Sequence, residues 1–209
     1  MNAGRIAGIY QRLEYAAFGS ALEHARFAFL SSASGARRIL ILGEGDGRFL
    51  ARLLASNPYC RVTIVEMSDR MIDVALRRLP VDQRSRVEFH RLDAAADALP
   101  DGPFDLAVSH FFFDILSCRD AGAVIPKVSS LLEPGAAWLI SEFQVPNTGF
   151  QRLHARLWLR AMYVFFSITT ALRVSGLPPY RKMLEACGFT EIEHSESRFG
   201  LIRSQRWRR

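Results

Sequence analysis

Three glycines alternate with two acids in the run Gly43-Glu44-Gly45-Asp46-Gly47, directly after the apolar stretch Ile39–Leu42. Glycines let the chain turn sharply and approach a ligand closely, because no Cβ intervenes. A dinucleotide loop of the GxGxxG type needs glycine at position 48, where this chain has Arg48, and two loop acids would repel a pyrophosphate. The loop therefore suits a cationic ligand better than a nicotinamide dinucleotide. Glu66 closes the next apolar run, where a carboxylate can accept from both hydroxyls of a ribose. Asp93, in Arg91-Leu92-Asp93-Ala94, can accept from an adenine amino group. Singly, each is most simply a solvated loop acid. Together, at three successive strand ends, they outline a nucleoside site.

The elements that must hold these residues follow from periodicity. Arg38–Leu42, Val62–Glu66, Val87–Leu92, Phe104–Ser109 and Ala137–Phe143 read as strands. Phe49–Ala55, Asp69–Leu79 and Ala121–Leu132 read as helices between them, the last closed by Glu133-Pro134-Gly135. That alternation predicts an α/β fold, a Rossmann-like doubly wound sheet with helices on both faces. Arg181–Ala186 reads as a further helix, and Thr190–Arg198 and Leu201–Trp207 as an antiparallel hairpin completing seven strands. Arg5–Leu30 carries one or two amphipathic helices, and Phe150–Arg173 a long one. Segments 1–30 and 144–180 are read as coverings over the strand ends of a single domain, 1–209.

Composition bounds the class. The 209 residues are 49% hydrophobic and 23% charged, which excludes a disordered chain. Three widely spaced cysteines, Cys60, Cys118 and Cys187, with no CxxC, fit a reducing compartment and no structural zinc. The longest nearly uncharged apolar run, Ala161–Leu172, is roughly half of the ~20 residues that a spanning helix needs. Charges at Arg12, Glu14, Glu23 and Arg26 interrupt any signal-peptide core, so a cytoplasmic location is expected. The net charge is +6, and the last twelve residues hold five arginines and no acid. A basic tail can touch nucleic acid or an anionic membrane; a solvated final strand is the simpler reading, and no nucleic-acid partner is expected.

These runs resemble the motifs of the class I S-adenosylmethionine-dependent methyltransferases along nearly the whole chain. ILILGEGDGRF resembles the first motif, TIVEMSDRMI the second, RLDAAADAL the third and FDLAVSHFFFDIL the fourth, while LLEPGAAWLISEF and MLEACGF resemble the later elements. RIAGIY resembles the lid of the ubiquinone/menaquinone C-methyltransferases and related small-molecule or phospholipid enzymes. The resemblance implies S-adenosylmethionine as cofactor, with Gly43, Gly45 and Gly47 packed against its methionine part. Glu66 would hold the ribose, Met67 cover the adenine, and Asp93 with Ala94 read its edge. Met71 and the lid residue Tyr10 would join the cofactor set. His110 and Phe111 would lie beside the sulfonium and the acceptor. Two departures stand out. The family's acid two residues before the first glycine is Ile41 here, so Glu44 or Asp46 must substitute in anchoring the methionine amino group. The Asp that follows the lid tyrosine is Gln11.

Methyl transfer is an in-line displacement, so the main task is alignment in a dry site. Aromatic faces such as Phe111, Tyr10 and Tyr15 can accommodate the sulfonium, with Phe112 and Phe113 read as core. An acidic acceptor needs a base: His110 is the first candidate, Glu142 and Asp114 the next. His24 and His154 are read as surface residues, and no metal is expected. The stripe Phe150, Leu153, Leu157, Ala161, Phe165, Ile168, Leu172 either packs on the domain or forms an interfacial helix. Both readings favour a small, largely hydrophobic acceptor, met in the cytoplasm or at the inner membrane face. The competing readings are a non-catalytic S-adenosylmethionine-binding subunit and a nucleotide-dependent oxidoreductase; acceptor atom and oligomeric state stay open.

Overall fold

The computed structural model describes residues 19–146 and 176–209, with 149, 152, 153, 155, 157 and 158 between them. The strands are β1 (Arg38–Leu42), β2 (Arg61–Val65), β3 (Val87–His90), β4 (Phe104–His110), β5 (Leu132–Phe143), β6 (Thr190–Ser197) and β7 (Ile202–Arg208). They form one sheet in the order β3-β2-β1-β4-β5-β7-β6. β1 to β5 are parallel, and β7 runs antiparallel between β5 and β6. This is the doubly wound seven-stranded sheet with a terminal hairpin that the alternation predicts. The helices are α1 (Ala21–Phe27), α2 (Arg48–Ser56), α3 (Asp69–Arg78), α4 (Cys118–Leu131) and α5 (Tyr180–Ala186).

Alternation along β1 divides the core. Ile39 and Ile41 face α2, packing with its Phe49, Leu50, Leu53 and Leu54 and with Ile64 and Val108. Leu40 and Leu42 face the other layer, with Val124, Ile125 and Val128 of α4, Leu184 of α5, and Trp138 and Trp207. A third cluster closes the far end: Leu22 and Ala25 of α1 meet Phe143, Ala155, Leu201 and Ile202. There Ser141 and Ser204, opposite one another on β5 and β7, both donate to the Ala25 carbonyl at 2.9 Å. Within segment 1–30, α1 thus packs against β5 and β7. The lid residues Tyr10 and Tyr15, His154, and most of the 150–173 helix lie outside the described residues.

Boundaries differ where side chains override periodicity. β3 ends at His90 rather than Leu92, and residues 91–93 lead irregularly into a turn at 94–96. α4 begins at Cys118 rather than Ala121, because Ser117 accepts from Asp120 N and caps it. Glu133-Pro134-Gly135 does not stop the chain between helix and strand. β5 already pairs at Leu132 with Phe104 and resumes at Ala137 opposite Leu106, so the turn bulges out of a continuous strand.

The arginine-rich end is not a free basic tail. Arg203 pairs with Glu191 and Glu196, and Arg206 with Glu193, across the β6–β7 ladder. Arg209 donates to the carbonyls of Ser129 and Leu132.

Leu53 is fully buried between α2 and the sheet. Leu53→Ala should therefore lower the unfolding free energy by about 2–5 kcal/mol, read from urea titrations with an unchanged denaturant slope.

Candidate active site

β1 delivers the glycine loop to the carboxyl edge of the sheet, and Gly43 N donates to Val65 O of β2 at 2.9 Å. Gly43, Gly45 and Gly47 all have left-handed backbones, at φ +65°, +69° and +80°, which other residues adopt only under strain. Their surroundings differ. A Cβ on Gly43 would stand 2.7 Å from the Phe112 ring, and one on Gly47 2.7 Å from Ala75 Cα of α3, while Gly45 has open space. The side-chain faces of Gly43 and Gly47 are therefore closed by protein, and Gly45 keeps that face free.

The loop acids also separate. Asp46 contacts Arg48 Nε at 2.9 Å and Arg78 Nη2 at 3.4 Å, which turns it toward α2 and α3 and withdraws it from the expected cofactor set. Glu44 Oε1 accepts from Leu50 N at 2.9 Å, in the first turn of α2. Burial, reinforced by Asp46 and Glu66, raises its pKa to about 8 against the pull of Leu50 N and Arg26. Glu66 ties the loop to β2, with Oε2 accepting from Gly45 N at 3.2 Å and Oε1 from Ser68 N at 3.0 Å. Burial raises its pKa too.

Beside Glu66 opens a cleft of about 270 Å³ lined by Met67, Arg91, Leu92, Asp93 and Asp97. Met67 is 63% exposed over it. Met71 lies on the first turn of α3, its N–H donating to Ser68 Oγ. Asp93 Oδ1 accepts from Ala95 N at 2.9 Å, and Asp93 N donates to Asp97 Oδ2 at 2.8 Å. Ala94 is buried with the core cluster on the α4 side of the sheet. Lys127 of α4 fixes this turn by donating to the carbonyls of Ala95 and Asp97 at 2.8 and 2.9 Å. Its part is not legible in the sequence, because a lysine amid helical spacing carries no signal of what its ammonium will reach. These residues fit an adenosyl ligand: an open glycine, a desolvated carboxylate at the ribose position and a slot edged by Met67 and Asp93.

The turn after β4 forms the opposite wall. Phe111 takes a left-handed backbone, φ +54°, and donates to Ser141 O at 2.7 Å. Glu142 Oε1 accepts from both Phe112 N and Phe113 N, at 2.8 and 2.7 Å. Glu142 and Asp114 are buried beneath the turn, and Glu142 Oε2 and Asp114 Oδ1 have no hydrogen-bond partner among the described residues. Burial pushes Asp114 up to about 7, and burial with Asp114's charge pushes Glu142 well above the carboxylate range. Expected as bases, both instead lie on the core side of the turn, and Glu142 holds it in shape. Phe113 stacks on Tyr180 at 5.2 Å and is core, as expected; Phe112 is buried against Gly43.

His110 ends β4, its ring edge-on to Phe49 of α2 at 4.7 Å. Both ring nitrogens are buried without a partner among the described residues. Burial, aided by Arg26, lowers its pKa to about 3, so it is a neutral imidazole at physiological pH. Arg26 of α1 lies 5.1 Å over the Phe111 ring, and Phe111 also meets Phe143 at 5.1 Å. Phe111 thus belongs to the apolar end wall under α1. Arg26 entered the sequence reading only as an interruption of an apolar run, since nothing local says which strand end a short helix will cover.

The buried pair sets a pH dependence. Asp114 binds its proton more tightly folded than unfolded, so its contribution to stability is present below about pH 4 and is lost as pH rises toward about 7. Urea titrations from pH 4 to 8 should show the wild type losing stability relative to Asp114→Asn, with a slope difference of up to about 1.4 kcal/mol per pH unit.

Residues 39–135 match the methyltransferase domain family. The chain is 25% identical over 182 residues to the ubiquinone/menaquinone biosynthesis C-methyltransferase UbiE of Syntrophotalea carbinolica, covering 81% of this chain and 75% of that one. It is 25% identical over 157 residues to acetylserotonin O-methyltransferase of Gallus gallus, covering 75% of this chain but 43% of that one. Among solved structures, the N-methyltransferase NodS of Bradyrhizobium japonicum in complex with S-adenosyl-L-homocysteine superposes with a TM-score of 0.65 at 19% identity, over 90% of this chain and 87% of that one, a likeness of fold. The strand order, the glycine loop and these similarities together support a class I S-adenosylmethionine-dependent methyltransferase related to the ubiquinone/menaquinone C-methyltransferases.

Proposed function

We propose that this methyltransferase acts on a small, largely hydrophobic acceptor that enters under α1 and meets the cofactor at His110. The observation that carries this reading is the neutral His110, whose two buried nitrogens have no partner among the described residues, beside an apolar end wall of Phe111, Phe143, Leu22 and Leu177. A wall of that kind accepts apolar surface, and an imidazole with free nitrogens can hold one polar group of the acceptor. The relatives are named for acting on small molecules: a quinone precursor, acetylserotonin and magnesium protoporphyrin.

When bound, S-adenosylmethionine supplies an electrophilic methyl on a sulfonium whose charge disperses as the methyl leaves. The chain's part is orientation and exclusion of water. Glu66 and Gly45 seat the adenosyl part, and Phe111 and Phe112 close the site from the β4 side. His110 Nδ1 or Nε2 bonds the acceptor's hydroxyl or enol and sets its direction. With a pKa near 3 it is a hydrogen-bond partner before it is a proton store, so the reaction favours an acceptor that is already nucleophilic. His110→Ala should lower turnover of a phenol or quinol acceptor about 100-fold and leave the dissociation constant for S-adenosylhomocysteine within threefold. The wild-type kcat/KM should show no inflection near pH 6.5; an inflection there, removed by the substitution, would overturn the assignment of a neutral imidazole.

The same reading keeps the protein in the cytoplasm, drawing its acceptor from the inner face of a membrane. It is supported by Leu153 and Leu157, 58% and 61% exposed on the partly described helix, with exposed Arg152 beside them. Among the described residues no helix is long and apolar enough to cross a membrane. The protein should float with anionic vesicles, and Leu153→Glu/Leu157→Glu should stay at the bottom of the gradient; a wild type that does not float would sink this localisation.

A further inference from the structure

The chain meets nearly every need for positive charge with arginine. Of its 27 lysines and arginines, only Lys127 and Lys182 are lysine. Lys182 is exposed on α5, whereas Lys127 is half-buried on α4, beside the core residues Val124 and Val128. Its ammonium donates to three backbone carbonyls of one turn, Ala95 O at 2.8 Å, Asp97 O at 2.9 Å and Ala94 O at 3.4 Å. An ammonium carries three donors on one compact tetrahedral centre and can aim one at each of three clustered oxygens. A planar guanidinium cannot, which is a physical reason for lysine at this place in an arginine-rich chain.

The turn that Lys127 holds is otherwise closed on itself. Asp93 O accepts from Asp97 N at 2.8 Å and from Ala96 N at 3.1 Å. Asp93 Oδ1 accepts from Ala95 N, and Asp97 Oδ2 from Asp93 N. The N–H groups thus go to the two aspartates, and the carbonyls go to Lys127. Both aspartates line the 270 Å³ cleft, together with Met67, Arg91 and Leu92. β3 has already ended at His90, so the turn is attached to α4 instead, through Lys127 and through Ala94 and Ala95 in the core cluster on that side.

We infer that Lys127 is a positioning residue for the nucleoside end of the cofactor. It lies outside the residues that line the cleft, and its three bonds hold Asp93 and Asp97 at the spacing from Met67 that receives the base. The inference rests on the S-adenosylmethionine reading of this cleft. Without the ammonium, three carbonyls lose a charged donor and the turn must be ordered anew by each ligand, a cost that falls on affinity and on recognition of the base.

The test uses the full chain and two probes that differ only in the base, 5′-methylthioadenosine and 5′-methylthioinosine. Lys127→Met keeps the apolar stem and removes the donors. It should weaken 5′-methylthioadenosine about 10-fold and cut the preference for it over the inosine compound by about threefold or more. Lys127→Arg restores the charge and should leave the preference reduced, because a guanidinium cannot serve all three carbonyls. An unchanged preference in both variants, with only the urea midpoint lowered, would assign Lys127 to folding alone and overturn the inference; so would full recovery in Lys127→Arg. The wild type supplies a readout that needs no Lys127 variant. Labelled with 13C at the lysine Cε, it gives two signals, told apart by Lys182→Arg at the exposed site. Binding of 5′-methylthioadenosine should shift the Lys127 signal and leave that of Lys182 in place, and a Lys127 signal that does not move on binding would sink the proposal. A wild type that binds neither probe refutes the cofactor reading itself, which is distinct from binding with the Lys127 signal unmoved.

Discussion

The approach of the Phe112 ring to Gly43 is the constraint on which the site depends. A Cβ there would stand 2.7 Å from the ring, so the first glycine is dictated by packing as much as by any ligand. Phe112 in turn is placed by Glu142, which accepts from the N–H groups of Phe112 and Phe113. The glycine loop is tied onward through Gly45 N to Glu66 at the end of β2. One line of contacts therefore crosses the carboxyl edge of the sheet from β5 through β4 and β1 to β2. A shift in any member moves the glycine loop relative to the β4 turn and to Glu66.

Four carboxyl groups along that edge, Glu44, Glu66, Asp114 and Glu142, have pKa values raised first by burial. Burying carboxyls is unfavourable unless they stay protonated or find partners. Here they divide by position. Glu142 lies under the β4 turn and accepts from its N–H groups, with Asp114 buried beside it, whereas Glu66 accepts from Gly45 N and Glu44 from Leu50 N. His110, kept neutral by burial, adds no charge to this edge.

The far edge of the sheet shows the opposite treatment of charge. β6 carries Glu191, Glu193 and Glu196, and β7 answers with Arg203 and Arg206. Arg203 is mostly buried between two carboxylates, and Tyr180 reaches the same layer by donating to Gln205 at 2.7 Å. Cross-strand pairing thus engages two of the five arginines of the last segment, Arg203 and Arg206, and the final residue folds back onto the carbonyls at the end of α4.

The sequence by itself determined the sheet, its strand order by family resemblance, the helices between strands and the strand ends where ligands gather. Those depend on periodicity, glycine backbone freedom and turn residues, which act over a few neighbours and are written locally. Ser117 moved the start of α4 by three residues because a cap is a side-chain event outside the apolar pattern. Which acids face the crevice was decided only in three dimensions. Glu44 and Asp46 are equivalent on paper, one residue apart between glycines, yet one turns to Leu50 N and the other to Arg48 and Arg78. Glu142 and Asp114 read as strand-end bases until tertiary packing put them beneath the β4 turn. His110 sits where the pattern put it, but its protonation state comes from burial against Phe49 and from the charge of Arg26 on a distant helix. Desolvation and long-range charge are sums over everything that packs around a group, and no local run of residues contains that sum.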